Sequence, residues 1–143
     1  MAAKVAFIGT GGTISSIGRG PLDLLDYGAA GKMLHAEEII AAVPELAEVA
    51  DVEVVKFRNI PSTAMDFAVW KELAALCSRL AAETPDLAGI VIGHGTASLE
   101  ETAYFLNLTL KIALPVVIVG SQRPLSGLAS DAHMNLVAAV RTA

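Results

Sequence analysis

The sequence predicts a doubly wound α/β domain, a parallel sheet covered by helices on both faces, and three observations predict it. Four short apolar runs, KVAFI (4–8), DVEVVKF (51–57), AGIVIG (88–93) and PVVIVG (115–120), alternate with segments whose apolar residues recur at helical spacing. Small polar loops rich in glycine follow the strands, GTGGT (9–13) after the first and HGT (94–96) after the third. Hydrophobic residues make up 54% of the 143 and charged residues 17%, with a mean hydropathy of +0.58. Strands buried on both faces produce such a surplus, and so does a face meant for a partner.

The elements follow in order. KVAFI is a buried strand stopped by glycines. Residues 14–33 are rich in Gly and Ser with little periodicity, a long loop of the kind that serves as a lid. AEEIIAAVPEL (36–46) reads as a short helix with Pro44 near its end, and DVEVVKF as the second strand. Ser62, Thr63 or Asp66 can cap the next helix, in which Phe67, Trp70, Leu73, Cys77 and Leu80 form one buried stripe. After the third strand, Ser98-x-x-Glu101 has the form of a capping box on a helix reaching about Leu110. The fourth strand leads through SQRPLSGLAS to a last helix that Ser130 can cap. That helix pattern, NLVAAVRTA, stops without a glycine, asparagine or proline terminator, so an interrupted chain is expected.

Strand–helix alternation with right-handed crossovers favours the flavodoxin-like order 2-1-3-4. Its switch point lies between the first and third strands, and ligands bind there at the carboxyl ends. Thr13 and Thr96 are thereby brought to one crevice, with the Ser62 loop beside them.

The formal net charge of −5 and the absence of any Lys/Arg cluster argue against a nucleic-acid partner. A single cysteine, Cys77, cannot form an internal disulfide, and VAFIG before the glycines is too short for a membrane span. A cytoplasmic location is therefore expected. The three histidines lack metal-ligand spacing, so no metal site is expected, and His94 reads as a structural hydrogen-bonder in its turn. Glu100 and Glu101 suit the first turn of a helix better than a carboxylate pair.

GTGGT gives a ligand close access to backbone amides. It is no dinucleotide fingerprint, because Ile14 stands where the third glycine belongs, and no Gly-Lys-Ser/Thr follows. Thr13 is a candidate nucleophile that needs a neighbour to polarise it, and Tyr27 in the lid-like loop can do so, although a tyrosine there also serves as packing.

VAFIGTGGTI (5–14), HGTASLEETAYFLNLTL (94–110) and PVVIVGSQRP (115–124) together resemble the N-terminal domain of bacterial-type L-asparaginases and glutaminase-asparaginases. Asparaginase-like subunits of the archaeal tRNA amidotransferase share the pattern. The resemblance runs from the first strand to the end of the chain, so residues 1–143 are expected to form that domain, ending before the family's smaller C-terminal domain. It implies hydrolysis of the side-chain amide of L-asparagine or L-glutamine to the acid and ammonia, with Thr13 as nucleophile and Tyr27 assisting. It further implies Ser62 on the substrate carboxylate, Thr96 placing water and proton, Gly12 and Thr96 backbone as an oxyanion hole, and Gly95, Ala97 and Ser121 lining the pocket. No cofactor is implied, and a homo-oligomer, dimer or tetramer, is.

Two departures stand out. The family usually has Asp where this chain has Ala97, and its second triad uses a lysine that relatives carry roughly one strand beyond where this chain stops, whereas none follows Lys111 here. A non-catalytic amino-acid-binding module of the same fold is the alternative. A flavodoxin-like domain binding phosphate at GTGGT is a third.

Overall fold

The computed structural model describes residues 2–143. Its main sheet has four parallel strands: β1 (Lys4–Gly9), β4 (Asp51–Val55), β5 (Leu87–Gly93) and β6 (Val116–Val119). They lie in the order β4-β1-β5-β6, the 2-1-3-4 arrangement expected from the sequence. Residue registers run Ile8↔Val55 and Gly9↔Gly93 across β1, and Gly93↔Val119 between β5 and β6, so the strand ends line up on one edge.

Alternation along the strands builds two cores. Val5 and Phe7 of β1 and Val91 of β5 face one side. There they meet Ala36 and Ile39 of α2 (Ala36–Ala41), Leu46 of the following 3-10 turn (Pro44–Glu48) and Leu136 of α5 (Ala132–Thr142). Ala6, Ile8, Ile90 and Ile92 face the other, against Leu73 and Cys77 of α3 (Phe67–Glu83) and Leu106 of α4 (Leu99–Thr109). Burial pushes the Cys77 thiol up to about 12, so it acts as a small apolar side chain.

Several elements differ from expectation, each for a local reason. The 14–33 segment is not one loop. It holds a 3-10 turn (Thr13–Ser15), an antiparallel pair of β2 (Ser16–Ile17) and β3 (Lys32–Met33), and one helical turn, α1 (Tyr27–Ala30). Two-residue strands show no alternation, and hydrogen bonds from distant backbone hold them: Leu34 N donates to Ser15 O and Leu125 N to Ser16 O. The 36–46 helix ends at Ala41, because Pro44 pushes Val43 out of helical geometry (φ −128°, ψ 71°) and starts its own turn.

The second strand leaves the ladder at Val55. Beyond it Ile60 N donates to Thr10 O, which lays residues 59–62 against the loop after β1.

Asp66 is the cap of α3, its carboxylate accepting from Val69 N at 2.9 Å. Phe67 is not part of the buried stripe. It is exposed and meets Phe105 edge-on at 5.8 Å. The capping box at Ser98 does not form, since its hydroxyl donates instead to Ser62 O at 2.7 Å. At α5 the cap position is Asp131, whose carboxylate accepts from the N–H groups of Gln122 and Arg123, while the expected Ser130 contributes its Oγ as acceptor for Ala132 N at 3.2 Å.

Candidate active site

The loops leaving β1 and β5 meet at the switch point, and glycine makes the meeting possible. Gly12 has φ 86° and ψ −171°, a backbone region open essentially to glycine alone. A Cβ there would lie 2.2 Å from Gly95 Cα, and one on Gly95 would lie 2.6 Å from Ser62 Oγ. Three loops therefore close on one another with no room for a methyl group. Thr10 Oγ1 donates to Gly93 O at 2.9 Å, and the hydroxyls of Ser15 and Ser16 both donate to Gly12 O. These contacts fix the direction in which Thr13 leaves the turn.

Thr13 Oγ1 lies 2.8 Å from Tyr27 Oη, a hydroxyl pair in which either oxygen can donate. The pair opens on a cavity of about 400 Å³. Gly12 and Thr13 line it from the loop after β1, Ser62 and Thr63 from the loop after β4, Gly95, Thr96 and Ala97 from the loop after β5, and Tyr27, Lys32 and Met33 from the β2–β3 segment. The structure thus brings Gly12, Thr13, Tyr27, Ser62, Gly95, Thr96 and Ala97 together around one cavity. Ser62 is buried and Ala97 exposed.

Ser121 is the exception to that set. It is buried, does not line the cavity, and its hydroxyl donates to Arg123 O at 2.7 Å. The turn after β6 folds back on itself, held by Asp131, and draws the serine inward. Its neighbour Gly120 instead approaches Thr96, whose methyl a Cβ on Gly120 would meet at 2.9 Å.

Sequence reasoning missed Ser16, Lys32, Met33 and Thr63 as lining residues. Thr63 adjoins a predicted site residue, which could have marked it. Lys32 and Ser16 sit on a two-residue ladder that leaves no periodic signal. Lys32 Nζ also pairs with Glu38, and this hydrogen bond holds the Glu38 carboxyl below its usual range.

Behind the β5 loop lies a directed hydrogen-bond chain. His94 is fully buried, with Nδ1 2.7 Å from Gly95 O and Nε2 2.9 Å from Thr102 Oγ1. A carbonyl can only accept, so Nδ1 carries the proton and Nε2 accepts from the threonine. Thr102 in turn accepts from Trp70 Nε1 at 2.8 Å. Burial lowers the His94 pKa, which keeps the imidazole neutral in this arrangement. Its role is the structural one expected. Among the described residues no three His, Cys, Asp or Glu side chains gather as metal ligands.

Fold and site define a class first: a parallel α/β domain with a threonine–tyrosine hydroxyl pair at its switch point. Comparison with known proteins gives the family. The model described as "Asparaginase, N-terminal" matches residues 4–143, and the chain belongs to the asparaginase family. L-asparaginase 2 of Bacillus subtilis (strain 168) is 41% identical over 140 residues, 98% of this chain and 36% of that protein. Glutaminase-asparaginase of Pseudomonas fluorescens biotype A is 40% identical over 141 residues, 99% of this chain and 38% of its own length. The crystal structure of a probable cytoplasmic L-asparaginase from Campylobacter jejuni superposes with a TM-score of 0.86 at 38% identity, covering 96% of this chain and 40% of that one. The chain therefore spans about two fifths of the length of these relatives.

Proposed function

We propose that this domain hydrolyses the side-chain amide of a small carboxylic acid, of the L-asparagine or L-glutamine type, through Thr13. One observation carries the reading: Thr13 Oγ1 and Tyr27 Oη lie 2.8 Å apart at the mouth of a cavity built by the switch-point loops. Thr13 Oγ1 attacks the amide carbon while Tyr27, able to accept and donate, relays the threonine proton toward the leaving nitrogen. Ammonia departs and an ester on Thr13 remains. Water, placed by Thr96, then attacks the ester, releasing the acid and restoring the threonine hydroxyl. The Gly12 and Thr96 N–H groups, which have no acceptor among the described residues, stabilise the oxyanion in both steps. A donor of this kind is commonly worth about 3–4 kcal/mol. Ser62 receives the substrate carboxylate. No organic cofactor enters this scheme.

The family membership supports the reaction class, and the names of the relatives support the substrate type. The apolar surplus of the sequence favours a homo-oligomer, dimer or tetramer, to be measured by light scattering. A cytoplasmic location accords with the name of the Campylobacter jejuni protein.

The test is ammonia release from L-asparagine and L-glutamine by this chain and by Thr13→Ala. Release that falls about a thousandfold or more in the variant, with unchanged circular dichroism, supports the reading. Release that Thr13→Ala leaves unchanged overturns it. Ala97, which puts a methyl group on the cavity wall, favours one second reading, a module that binds an amino acid without turning it over. Calorimetric binding of aspartate with no ammonia release would establish that reading.

A further inference from the structure

The charges around the cavity are lopsided. Among the described residues that line it, Lys32 is the one cation and no Asp or Glu is present. Asp26, Glu38, Glu100 and Glu101 belong to neighbouring segments but do not reach the wall. The remaining polar groups are hydroxyls, those of Thr13, Ser16, Tyr27, Ser62, Thr63 and Thr96. Hydroxyls and an ammonium serve a carboxylate well, because all of them donate.

An α-ammonium on a ligand finds the reverse. It brings three donors and a positive charge; the hydroxyls can accept from it, but no lining side chain among the described residues carries the negative charge that would pair with it. The Ser62 carbonyl beside the cavity already accepts from Ser98 Oγ at 2.7 Å. Ala97 offers a methyl group where the wall could have held an acceptor. Lys32 is paired at the rim with Glu38, both side chains being well exposed, and its other two N–H donors remain for a ligand.

We infer that this site takes ω-amides of dicarboxylic acids that lack a free α-ammonium, such as succinamate, which is asparagine without its amino group, in preference to the zwitterionic amino-acid amides. The inference rests on the proposed amide hydrolysis and narrows its substrate class. The chemistry is unchanged: the amide carbon is attacked by Thr13, ammonia leaves, and water returns the dicarboxylate. Discrimination comes from the missing partner of the ammonium. A charged hydrogen-bonding group left unpaired typically weakens binding by about tenfold or more.

The experiment compares the two product acids, which need no turnover to bind. Succinate and L-aspartate are titrated into this chain by calorimetry, alongside kcat/KM for succinamate and L-asparagine. Succinate is expected to bind about tenfold more tightly or better, and succinamate to lead in kcat/KM by a similar ratio. Lys32→Gln is expected to weaken succinate several-fold. Ala97→Asp is expected to move the preference toward aspartate, a shift that a merely structural role for Ala97 would not produce.

Aspartate binding as tightly as succinate, with Thr13-dependent ammonia release retained, overturns this inference and leaves the amide hydrolysis standing. No response to either acid and no ammonia release from any of the amides overturns both. An unchanged preference in Ala97→Asp and Lys32→Gln, both folded by circular dichroism, also overturns the charge argument.

Discussion

The cavity has two halves of opposite construction. The half from the sheet, Thr10–Thr13 and His94–Ala97, rests on buried strands and is locked by Gly12 against Gly95 and by Gly95 against Ser62. The half from the β2–β3 segment carries Tyr27 on the single helical turn α1 and Lys32 on a two-residue ladder, with Leu22 and Leu25 exposed at 79% and 91%. Long-range hydrogen bonds tether it, Gly18 N to Ser126 Oγ and Leu128 N to Pro21 O. The difference teaches where each function is kept. Groups whose position must not vary sit on close-packed backbone, while the group that must meet and release a ligand sits on a segment with little buried surface, the kind that opens at low cost.

The comparison breaks most completely at Gly12. Gly12→Ala puts a Cβ into the Gly95 backbone at a φ of 86°. Strain and overpacking together are expected to cost about 3–5 kcal/mol, read as a lowered denaturation midpoint, and to abolish amide hydrolysis. A variant as stable as the wild type would show that the sheet half is not locked. Tyr27→Phe tests the other half. It removes one hydroxyl from a part-buried pair and should lower kcat about a hundredfold while leaving the denaturation midpoint nearly unchanged.

Legibility in the sequence follows the same division. The sheet strands, four to seven residues long, and the helices of eleven or more announce themselves by period, so the sheet order and the meeting of Thr13 with Thr96 could be read directly. Asn59 illustrates what could not. Its amide donates to Leu34 O at 3.2 Å across 25 residues, pinning the end of β3 beside the loop after β4. No local pattern encodes such a tether, and none encoded β2 and β3. Capping went astray for a related reason. Ser98 has the right sequence neighbours for a capping box, but a tertiary acceptor, Ser62 O, claims its hydroxyl. Ser121 failed likewise, drawn to Arg123 O by a turn whose anchor, Asp131, lies ten residues further on. Local chemistry was legible wherever no distant partner competed for the same atom.

The sheet half also predicts a pH dependence. His94 is buried neutral and its pKa is lowered from the ordinary value of about 6.5. The unfolded chain therefore binds a proton more readily than the folded one. Stability from this group is complete above about pH 6.5 and is lost as the pH falls from there through the lower folded value. One proton gives a slope of at most about 1.4 kcal/mol per pH unit. Denaturant titrations between pH 7.5 and 5, chosen to span roughly that window, should show this slope in the wild type and a flatter curve in His94→Asn. The lowered carboxyls of Glu38, Glu72, Asp86 and Asp131 act in the same direction but in a separate range, below the ordinary carboxylate values. A slope that survives in His94→Asn would assign it to other groups.

The smallest effect is expected at the tip of the β2–β3 segment. Leu25 is the most exposed of the large apolar side chains, and its removal opens no cavity. Leu25→Ser should change the stability of the isolated chain by no more than about 0.5 kcal/mol, the range of surface substitutions away from special features. If the segment is a lid that closes over the cavity, the same variant should alter KM more than kcat, because Leu25 acts on opening and not on the Thr13–Tyr27 pair. Equal loss in both constants, or a large drop in stability, would mean that the tip is packed and that the two halves are less different than their burial implies. Light scattering on the same sample separates the remaining cause, since a Leu25 buried between subunits would reveal itself as dissociation with no change in the folded monomer.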